Sequence, residues 1–356
     1  MLGATIAGFF LSASFCTIIL LSCNKVDLLT LAGENETTAG GASWKVVGPY
    51  PGFTPGVAEY ISLKIYGGTL YVAFYDWFSS NKASSMKYNG ADWVNVGSAG
   101  FSDGVVAYTS LFIDSGTLYV AYQDRTVAIW RATVMQNTGS GWTLVGSKGF
   151  SAGQANFLSM YTDSGTPYVA FKDGNVSDKA TVMKYSGGNW VNVGSAGFSA
   201  GSADYTSLKV YSGTPYVAYQ GGVMKFNGST WEDVGSLSPG PYTSMDIDNG
   251  VPYVAYQGGV KSYNGSSWVD VGNISPGPYC SLDVYDGTPY LAYQDSYASN
   301  RLTVEKFIGS QWITLGEAGF SSGVATYVSL CVDANIPYVA YTDSSVSNKA
   351  TVMKFE

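Results

Sequence analysis

Histidine is absent from this sequence of 356 residues, and arginine is scarce. Without histidine the chain lacks the commonest general base, every Ser-His or Cys-His nucleophile pair and the usual zinc ligand sets. The three arginines are Arg125, Arg131 and Arg301, and the net charge is −8. A nucleic-acid partner needs a Lys/Arg footprint for its phosphates. We therefore expect no enzymatic activity of the usual types, no cofactor and no nucleic-acid partner.

Cysteine is also rare, and its spacing does not predict a disulfide. Cys16 and Cys23 lie in an apolar N-terminal stretch, whereas Cys280 and Cys331 lie in neighbouring repeats. Aligning the repeats offsets the latter two by three residues, which is ~10 Å along a strand and beyond disulfide reach. We expect two separate buried thiols.

Repetition is what the sequence has in abundance. The pattern Trp-x-x-(Val or Leu)-Gly occurs seven times at intervals of 37 to 49 residues. Periods of this length are typical of propellers and solenoids. The repeated tryptophans are Trp44, Trp93, Trp142, Trp190, Trp231, Trp268 and Trp312.

Each repeat predicts four short strands, which in one unit span 205–211, 215–220, 223–226 and 231–235. Tyr, Val, Thr and Phe fill these runs, and Gly, Asn and Ser fill the gaps between them. Seven such units predict an all-β fold, a seven-bladed β-propeller of four-stranded blades.

The two ends of the repeat array complement each other. The chain stops at Glu356 within a third strand, and the missing Trp strand stands at the other end, at 42–48. We expect the strand with Trp44 to complete the last blade and close the ring, so that residues 42–356 form one domain. A solenoid would instead need polar capping repeats, and the sequence shows none.

The N-terminal stretch 1–22 is apolar or small throughout and indicates a signal peptide. Leu20-Leu21-Ser22-Cys23 resembles the lipobox of bacterial lipoproteins, which implies cleavage before Cys23 and a lipid on its sulfur. An uncleaved anchor helix and simple secretion are the alternatives, and all three place the propeller outside the cytoplasm. Residues 23–41 are expected to form a flexible tether.

One face of the predicted ring carries the variable segments. Loops between second and third strands open on the same side as the connections between blades, and both are long in most repeats. Blades four and five shorten both, to two- or three-residue turns and to Ser-Pro-Gly-Pro connections at 238–241 and 275–278. We expect a face built up over five blades and cut down over two, with an off-centre depression where function resides.

Residues that recur in every repeat are expected to be packing residues of the blade. These are the seven tryptophans, the Tyr that opens most first strands and the Phe of each Gly-Phe-Ser connection. Residues that occur once need another explanation, and exposed aromatics beside Arg suit contact with a sugar or a partner protein. The alternative is that these rings cover their own loops. The candidate ligand-binding residues are Trp77, Phe78, Trp130, Arg131, Tyr297 and Arg301.

A loop with spaced oxygens makes Asp173, Asn175 and Asp178 weak candidates for calcium ligands. Similar Asp residues recur in other repeats with a nearby Lys or Arg and without a bidentate Glu. Bracing of the loop by hydrogen bonds is therefore the favoured interpretation.

The repeat text VGSAGFS, YTSL, PYVAY and KATVMKY resembles bacterial extracellular repeat propellers over residues 42–356. That resemblance implies the fold and an exported location. The Asn-Gly-x-x-Trp turns at 89–93, 227–231 and 264–268 show a weaker resemblance to the Asp-box propellers of sialidases. We expect a monomeric, lipid-anchored module that binds a glycan or a cell-surface protein, the alternative being a sialidase-like hydrolase or lyase that uses carboxylates and Tyr on the same face.

Overall fold

The computed structural model describes residues 41–356, in which seven four-stranded antiparallel sheets follow one another around a ring. This is the predicted seven-bladed β-propeller, and Ala42–Glu356 form its compact unit. The predicted leader, the lipidation site Cys23 and the tether up to residue 40 lie outside the described residues. Among residues 41–356 no helix is long and apolar enough to cross a membrane.

The long blades are blades 1 to 3, 6 and 7. Blade 1 comprises β2 (Ala58–Tyr66), β3 (Thr69–Asp76), β4 (Lys82–Tyr88) and β5 (Trp93–Asn95); blade 2 comprises β6 (Val106–Asp114), β7 (Thr117–Asp124), β8 (Arg131–Asn137) and β9 (Trp142–Leu144). Blade 3 comprises β10 (Ala155–Asp163), β11 (Thr166–Asp173), β12 (Lys179–Ser186) and β13 (Asn189–Asn192). Blade 6 comprises β22 (Ser281–Tyr285), β23 (Thr288–Asp295), β24 (Arg301–Ile308) and β25 (Gln311–Thr314); blade 7 comprises β26 (Ala325–Asp333), β27 (Ile336–Asp343), β28 (Lys349–Phe355) and β1 (Trp44–Val46).

The short blades are blades 4 and 5. Blade 4 comprises β14 (Ser207–Tyr211), β15 (Thr214–Tyr219), β16 (Gly222–Phe226) and β17 (Trp231–Asp233); blade 5 comprises β18 (Ser244–Asp248), β19 (Val251–Tyr256), β20 (Gly259–Tyr263) and β21 (Trp268–Asp270). Three 3-10 helices follow second strands, at Gly174–Val176, Ser296–Ala298 and Ser344–Val346. The strands predicted for blade 4 match the observed ones to within two residues at each end.

The N-terminal strand closes the ring as predicted. Strand β1 is the outermost strand of blade 7, and it pairs antiparallel with β28 in the register Trp44↔Phe355 and Val46↔Met353. The two ends of the described chain thus share one sheet, which makes the ring continuous.

The repeated tryptophans pack between blades. Each Trp Nε1 donates a hydrogen bond to a carbonyl oxygen of the preceding blade, as from Trp93 to Val47 at 2.9 Å and from Trp190 to Val145 at 2.7 Å. In five blades an aromatic ring of the connection stacks on the Trp, with centroids 3.9–4.3 Å apart. The predicted packing role of the Trp and Phe residues is confirmed.

The long loops and connections lie together on one side, which we call the built-up face. In blade 1, for example, the connection 97–104 returns to β4, where Phe101 N–H donates to the Ala83 carbonyl oxygen. Second and third strands of blades 4 and 5 are joined only by Gln220-Gly221 and Gln257-Gly258, so the face is lower there, as predicted. Cys280 and Cys331 are both free thiols, and burial raises the pKa of each to about 12.

Candidate functional site

An aromatic residue stands at the start of the first strand in every blade, at the mouth of the central channel on the built-up face. All seven have a positive φ of 50–58°, a conformation that bulky side chains rarely adopt. In blades 1, 2, 3 and 7 a bulge in the pairing of first and second strands coincides with it, and bulges re-aim side chains. The residues are Tyr60, Tyr108, Phe157, Tyr205, Tyr242, Tyr279 and Tyr327.

These side chains form a closed ring. Each contacts the aromatic residue of the blade on either side, with centroids 4.8–5.5 Å apart and interplanar angles of 41–57°. The angles are close to the rotation between neighbouring blades, so the ring planes stand roughly parallel to the channel axis. Pairs at such separations are mutually stabilising.

The ring encloses an open cavity of about 270 Å³, which we call the aromatic cup. Its deeper wall is formed by the residues that follow the aromatics, among them Thr109, Leu158 and Val328. The volume is near the lower end of the range for small-ligand sites. The cup therefore has room for one sugar ring or a group of similar size.

Charged residues stand beside the cup over blades 1 to 4. Lys172 Nζ lies 2.8 Å from Asp204 Oδ1 and 6.0 Å from the ring centroid of Phe157. Burial raises the pKa of Glu59, and the nearby Arg125 guanidinium opposes this shift. At the position of Glu59, blades 5 and 6 carry prolines of the Ser-Pro-Gly-Pro connections instead. One side of the mouth is thus charged, and the side over blades 5 and 6 carries prolines instead.

Burial raises the pKa of several cup tyrosines, which are therefore neutral phenols at physiological pH. Burial raises the pKa of Tyr60, Tyr108 and Tyr279, and it raises that of Tyr205 to about 12. A neutral phenol both donates and accepts hydrogen bonds, but it is a poor base. The chemistry of these groups suits recognition of hydroxyls more than proton abstraction.

The exposed aromatics predicted from the sequence lie on outer loops of the built-up face. Trp77 is 62% exposed, Phe78 71% and Tyr297 99%, so each of these side chains is largely accessible to a ligand. Trp77 and Phe78 belong to blade 1, which adjoins blade 2 with Trp130. Tyr297 and Arg301 belong to blade 6, which blade 7 separates from blade 1.

Trp130 contacts Arg125, an arginine that is not among the predicted ligand-binding residues. The guanidinium carbon of Arg125 lies 5.1 Å from the Trp130 ring centroid, and Arg125 Nε donates to Gln123 Oε1 at 3.1 Å. Arg131 begins β8 and is half-buried, and its Nε has no hydrogen-bond partner among residues 41–356. Arg125 therefore links the outer aromatic Trp130 to the cup mouth, and neither Arg131 nor Arg301 lines the cup.

The weak calcium candidates brace their own loop. Asp173 Oδ1 accepts from Asn175 N–H at 2.9 Å, and Asp173 Oδ2 accepts from Thr181 Oγ1 at 3.0 Å. Asp178 lies 3.7 Å from Lys172 Nζ. Over the described part of the chain, no group of three or more Cys, Asp or Glu side chains is arranged to hold a metal ion.

Sequence reasoning missed the aromatic cup. The seven cup residues share the pattern (Tyr or Phe)-x-Ser, which recurs in every repeat, and recurrence was taken to indicate packing within a blade. The same recurrence is also what a ring around the axis produces. The recurring combination of an aromatic residue with a serine two residues later was the sequence signal that could have indicated such a ring.

No protein-family model matches this chain, and no curated protein matches it. Solved structures match it as propellers. A puromycin-hydrolyzing peptidase from Mycobacterium tuberculosis aligns at a TM-score of 0.56 and 10% identity over 86% of this chain and 54% of its own. An ulvan lyase of polysaccharide lyase family 25 aligns at a TM-score of 0.52 and 14% identity over 86% and 94%. A protein of unknown function from Dyadobacter fermentans aligns at 0.50 and 13% over 89% and 99%. At these identities the matches show the fold alone, which enzymes and a protein of unknown function share.

Proposed function

We propose that this protein is a carbohydrate-binding propeller that holds one sugar residue of a glycan in the aromatic cup. The observation that carries the proposal is the closed ring of seven aromatics around a cavity of about 270 Å³. Aromatic faces pack against the C–H surface of a sugar, and phenol groups exchange hydrogen bonds with its hydroxyls.

The outer aromatics extend this surface. Trp77, Phe78 and Trp130 stand on blades 1 and 2, on the charged side of the mouth, and Arg125 contacts Trp130 there. A glycan longer than one residue would run from the cup across this side. Tyr297 and Arg301 belong to blade 6, which contributes Tyr279 to the cup, and they would contact a ligand that extends from the cup outward over that blade.

Binding without catalysis is the function we infer. Tyr60, Tyr108, Tyr205 and Tyr279 of the cup have raised pKa values, whereas a tyrosine base would need a lowered one. Of the carboxyls at the cup mouth, Asp204 is paired with Lys172, and Glu59, whose pKa burial raises, has the Arg125 guanidinium nearby. In the cell we propose a monomer outside the cytoplasm, held at a membrane through a lipid on Cys23.

A glycan-array screen of the protein, scored for both retained ligand and released sugar, tests this proposal. Retention without release is the expected result. Released sugar would overturn the binding proposal in favour of a hydrolase or lyase. If the screen shows no retained ligand and no released sugar, the proposal that the ligand is a glycan is overturned.

A pair of aromatic variants then tests the position of the site. Tyr279→Ala removes one wall of the cup and is expected to weaken binding at least about tenfold, whereas Tyr279→Phe keeps the ring. Tyr66 is 44% exposed on the opposite face, and Tyr66→Ala serves as the matched control. Equal binding by all three variants, measured by calorimetry, would place the site elsewhere.

A further inference from the structure

A second ring lies one step deeper in the channel, two residues after the aromatics on each first strand. It consists of Ser62, Ser110, Ser159, Ser207, Ser244, Ser281 and Ser329. Each serine Oγ accepts a hydrogen bond from a backbone N–H of the next blade, at 2.9–3.0 Å. The ring of bonds is closed, because Ser329 of blade 7 accepts from Leu63 of blade 1.

The serine hydroxyl protons have no acceptor in this arrangement. A serine hydroxyl can accept and donate at the same time, and here only the accepting role is filled. Across residues 41–356 none of the seven Oγ atoms lies in donor geometry to an acceptor. Seven O–H donors are therefore left to a polar cavity of about 120 Å³, which we call the serine chamber.

The next layer of the channel supplies charge. Four residues further along each first strand than the cup aromatics lie Lys64, Phe112, Tyr161, Lys209, Asp246, Asp283 and Cys331. Lys209 Nζ lies 2.8 Å from Asp246 Oδ1, and Asp246 Oδ2 accepts from Val284 N–H at 2.8 Å. These two charges neutralise each other. Lys209 is enclosed by protein, and the 22% of its side chain that is accessible faces the chamber that it lines.

Lys64 and Asp283 decide the net charge of the chamber, which both of them line. Lys64 forms no ion pair with any described residue. Burial and, next, the Asp246 carboxylate raise the pKa of Asp283 to about 7. Below that pH Asp283 is mostly neutral, so the chamber carries one positive charge from Lys64 beside seven hydroxyl donors.

We propose that the serine chamber binds one small monovalent anion of halide size, held by the Lys64 ammonium group and by hydroxyls of the serine ring. Hydroxyl donors and an ammonium group are ligands for anions. A single unneutralised charge matches one monovalent ion. This site lies below the aromatic cup, and it does not depend on the function proposed for the cup.

Anion binding is expected to weaken as pH rises through about 7, where Asp283 becomes charged. The titratable and charged groups that face Asp283 from the packed strands are Lys64, Tyr161, Lys209, Asp246 and Cys331. Further along the same strands, at the end of the channel on the opposite face, lie Asp114, Asp163, Asp248 and Asp333. Burial and nearby carboxylates raise the pKa values of Tyr161 and Cys331, so neither adds charge in this range.

Thermal unfolding in sodium chloride, compared with sodium gluconate at equal ionic strength, tests the proposal. Gluconate is too large for the chamber. At pH 6 we expect chloride to raise the Tm in a saturable way by ~2–4 °C, and to raise it less at pH 8. No difference between the two salts would overturn the proposal.

Two further measurements identify the site. Lys64→Met is expected to lose the chloride-dependent shift, whereas Lys45→Met, on the exposed outer strand, is expected to keep it. If Lys64→Met does not fold, a crystal of the unaltered protein grown with sodium bromide shows whether an anion binds in the serine chamber. An anomalous bromide peak beside Lys64 supports the site, and water alone in the chamber overturns it.

Discussion

The aromatic cup and the layer of Lys64, which we call the lysine layer, lie on the same seven strands, four residues apart, yet their composition differs sharply. In the cup six blades carry Tyr and the seventh carries Phe157. In the lysine layer two blades carry Lys, two carry Asp, and the others carry Phe, Tyr and Cys. Each layer repeats its own backbone geometry from blade to blade, positive φ in the cup and regular strand pairing in the lysine layer, so the difference in composition comes from which side chains can be repeated around the axis.

Aromatic rings pack well against copies of themselves, whereas charges do not. Seven identical rings stabilise one another around an axis, but seven lysines or seven aspartates would repel one another in a buried channel. The lysine layer instead mixes charges of both signs with uncharged residues, and it pairs Lys209 with Asp246. A symmetric scaffold can repeat an apolar layer, but a buried polar layer must break the symmetry.

The strongest test of this comparison removes one charge of the lysine layer. Lys209→Met leaves Asp246 buried without its partner, and we expect it to lower the free energy of unfolding by about 3–5 kcal/mol. Tyr108→Phe in the cup keeps the ring contacts and is expected to cost less than about 1.5 kcal/mol. Urea unfolding measures both values.

The double variant Lys209→Met/Asp246→Leu is the control for that experiment. Removing both charges should recover most of the lost stability, because no unpaired charge remains. A double variant as unstable as the single one would mean that packing, and not charge, governs this layer.

The next effect is a pH dependence carried by Asp283. Its native pKa of about 7 lies above the value of ~3.9 in an unfolded chain, so the folded state binds more protons between these values. Stability should therefore fall as pH rises from about 4 to 7, by up to about 4 kcal/mol. Asp283→Asn is expected to flatten this slope and to be more stable than the unaltered protein at pH 8.

Urea unfolding of both proteins at pH 5 and pH 8 measures the Asp283 effect. An unchanged slope in Asp283→Asn would assign the pH dependence to other groups. Tyr60, Tyr108 and Tyr205 of the cup cannot supply it, because burial raises their pKa values.

A smaller effect is expected in the serine ring between the two layers. Ser207→Ala leaves the Met245 N–H, which Ser207 Oγ accepts at 3.0 Å, without its partner. The expected loss is about 1–3 kcal/mol. Ser229 is exposed in a turn, and Ser229→Ala should stay within about 0.5 kcal/mol of the unaltered protein. Equal stabilities in thermal unfolding would mean that water replaces the serine.

The smallest effect on stability is expected at the outer aromatics. Trp77→Ala and Trp130→Ala should change the free energy of unfolding by less than about 0.5 kcal/mol, because both rings project into solvent. Each should still weaken glycan binding about tenfold in calorimetry. Variants that unfold early and bind normally would show that these rings support their loops instead.

Much of this fold could be predicted from the repeats. The intervals between tryptophans indicated seven blades, the strand with Trp44 indicated ring closure, and the Ser-Pro-Gly-Pro connections indicated the low side of the built-up face. Trp77 and Phe78 were chosen as candidate ligand-binding residues because they occur once and do not recur in the other repeats. The contact of Arg125 with the Trp130 ring was not predicted from the sequence. The loop between Arg125 and Trp130 turns, with Trp130 N–H bonded to the Val127 carbonyl oxygen, and this turn brings Arg125 to the Trp130 ring.

The sequence by itself determined the architecture, because strand length, turn residues and the repeated Trp are local signals that each blade carries in full. Only the tertiary structure decided that the repeated tyrosines form a cup and that Lys64, Lys209, Asp246 and Asp283 share one channel. Residues on neighbouring first strands stand roughly 40 to 50 positions apart in the chain, and they meet only when the ring closes. A recurring residue fits packing within a blade and a ring around the axis equally well, since both repeat with the same period.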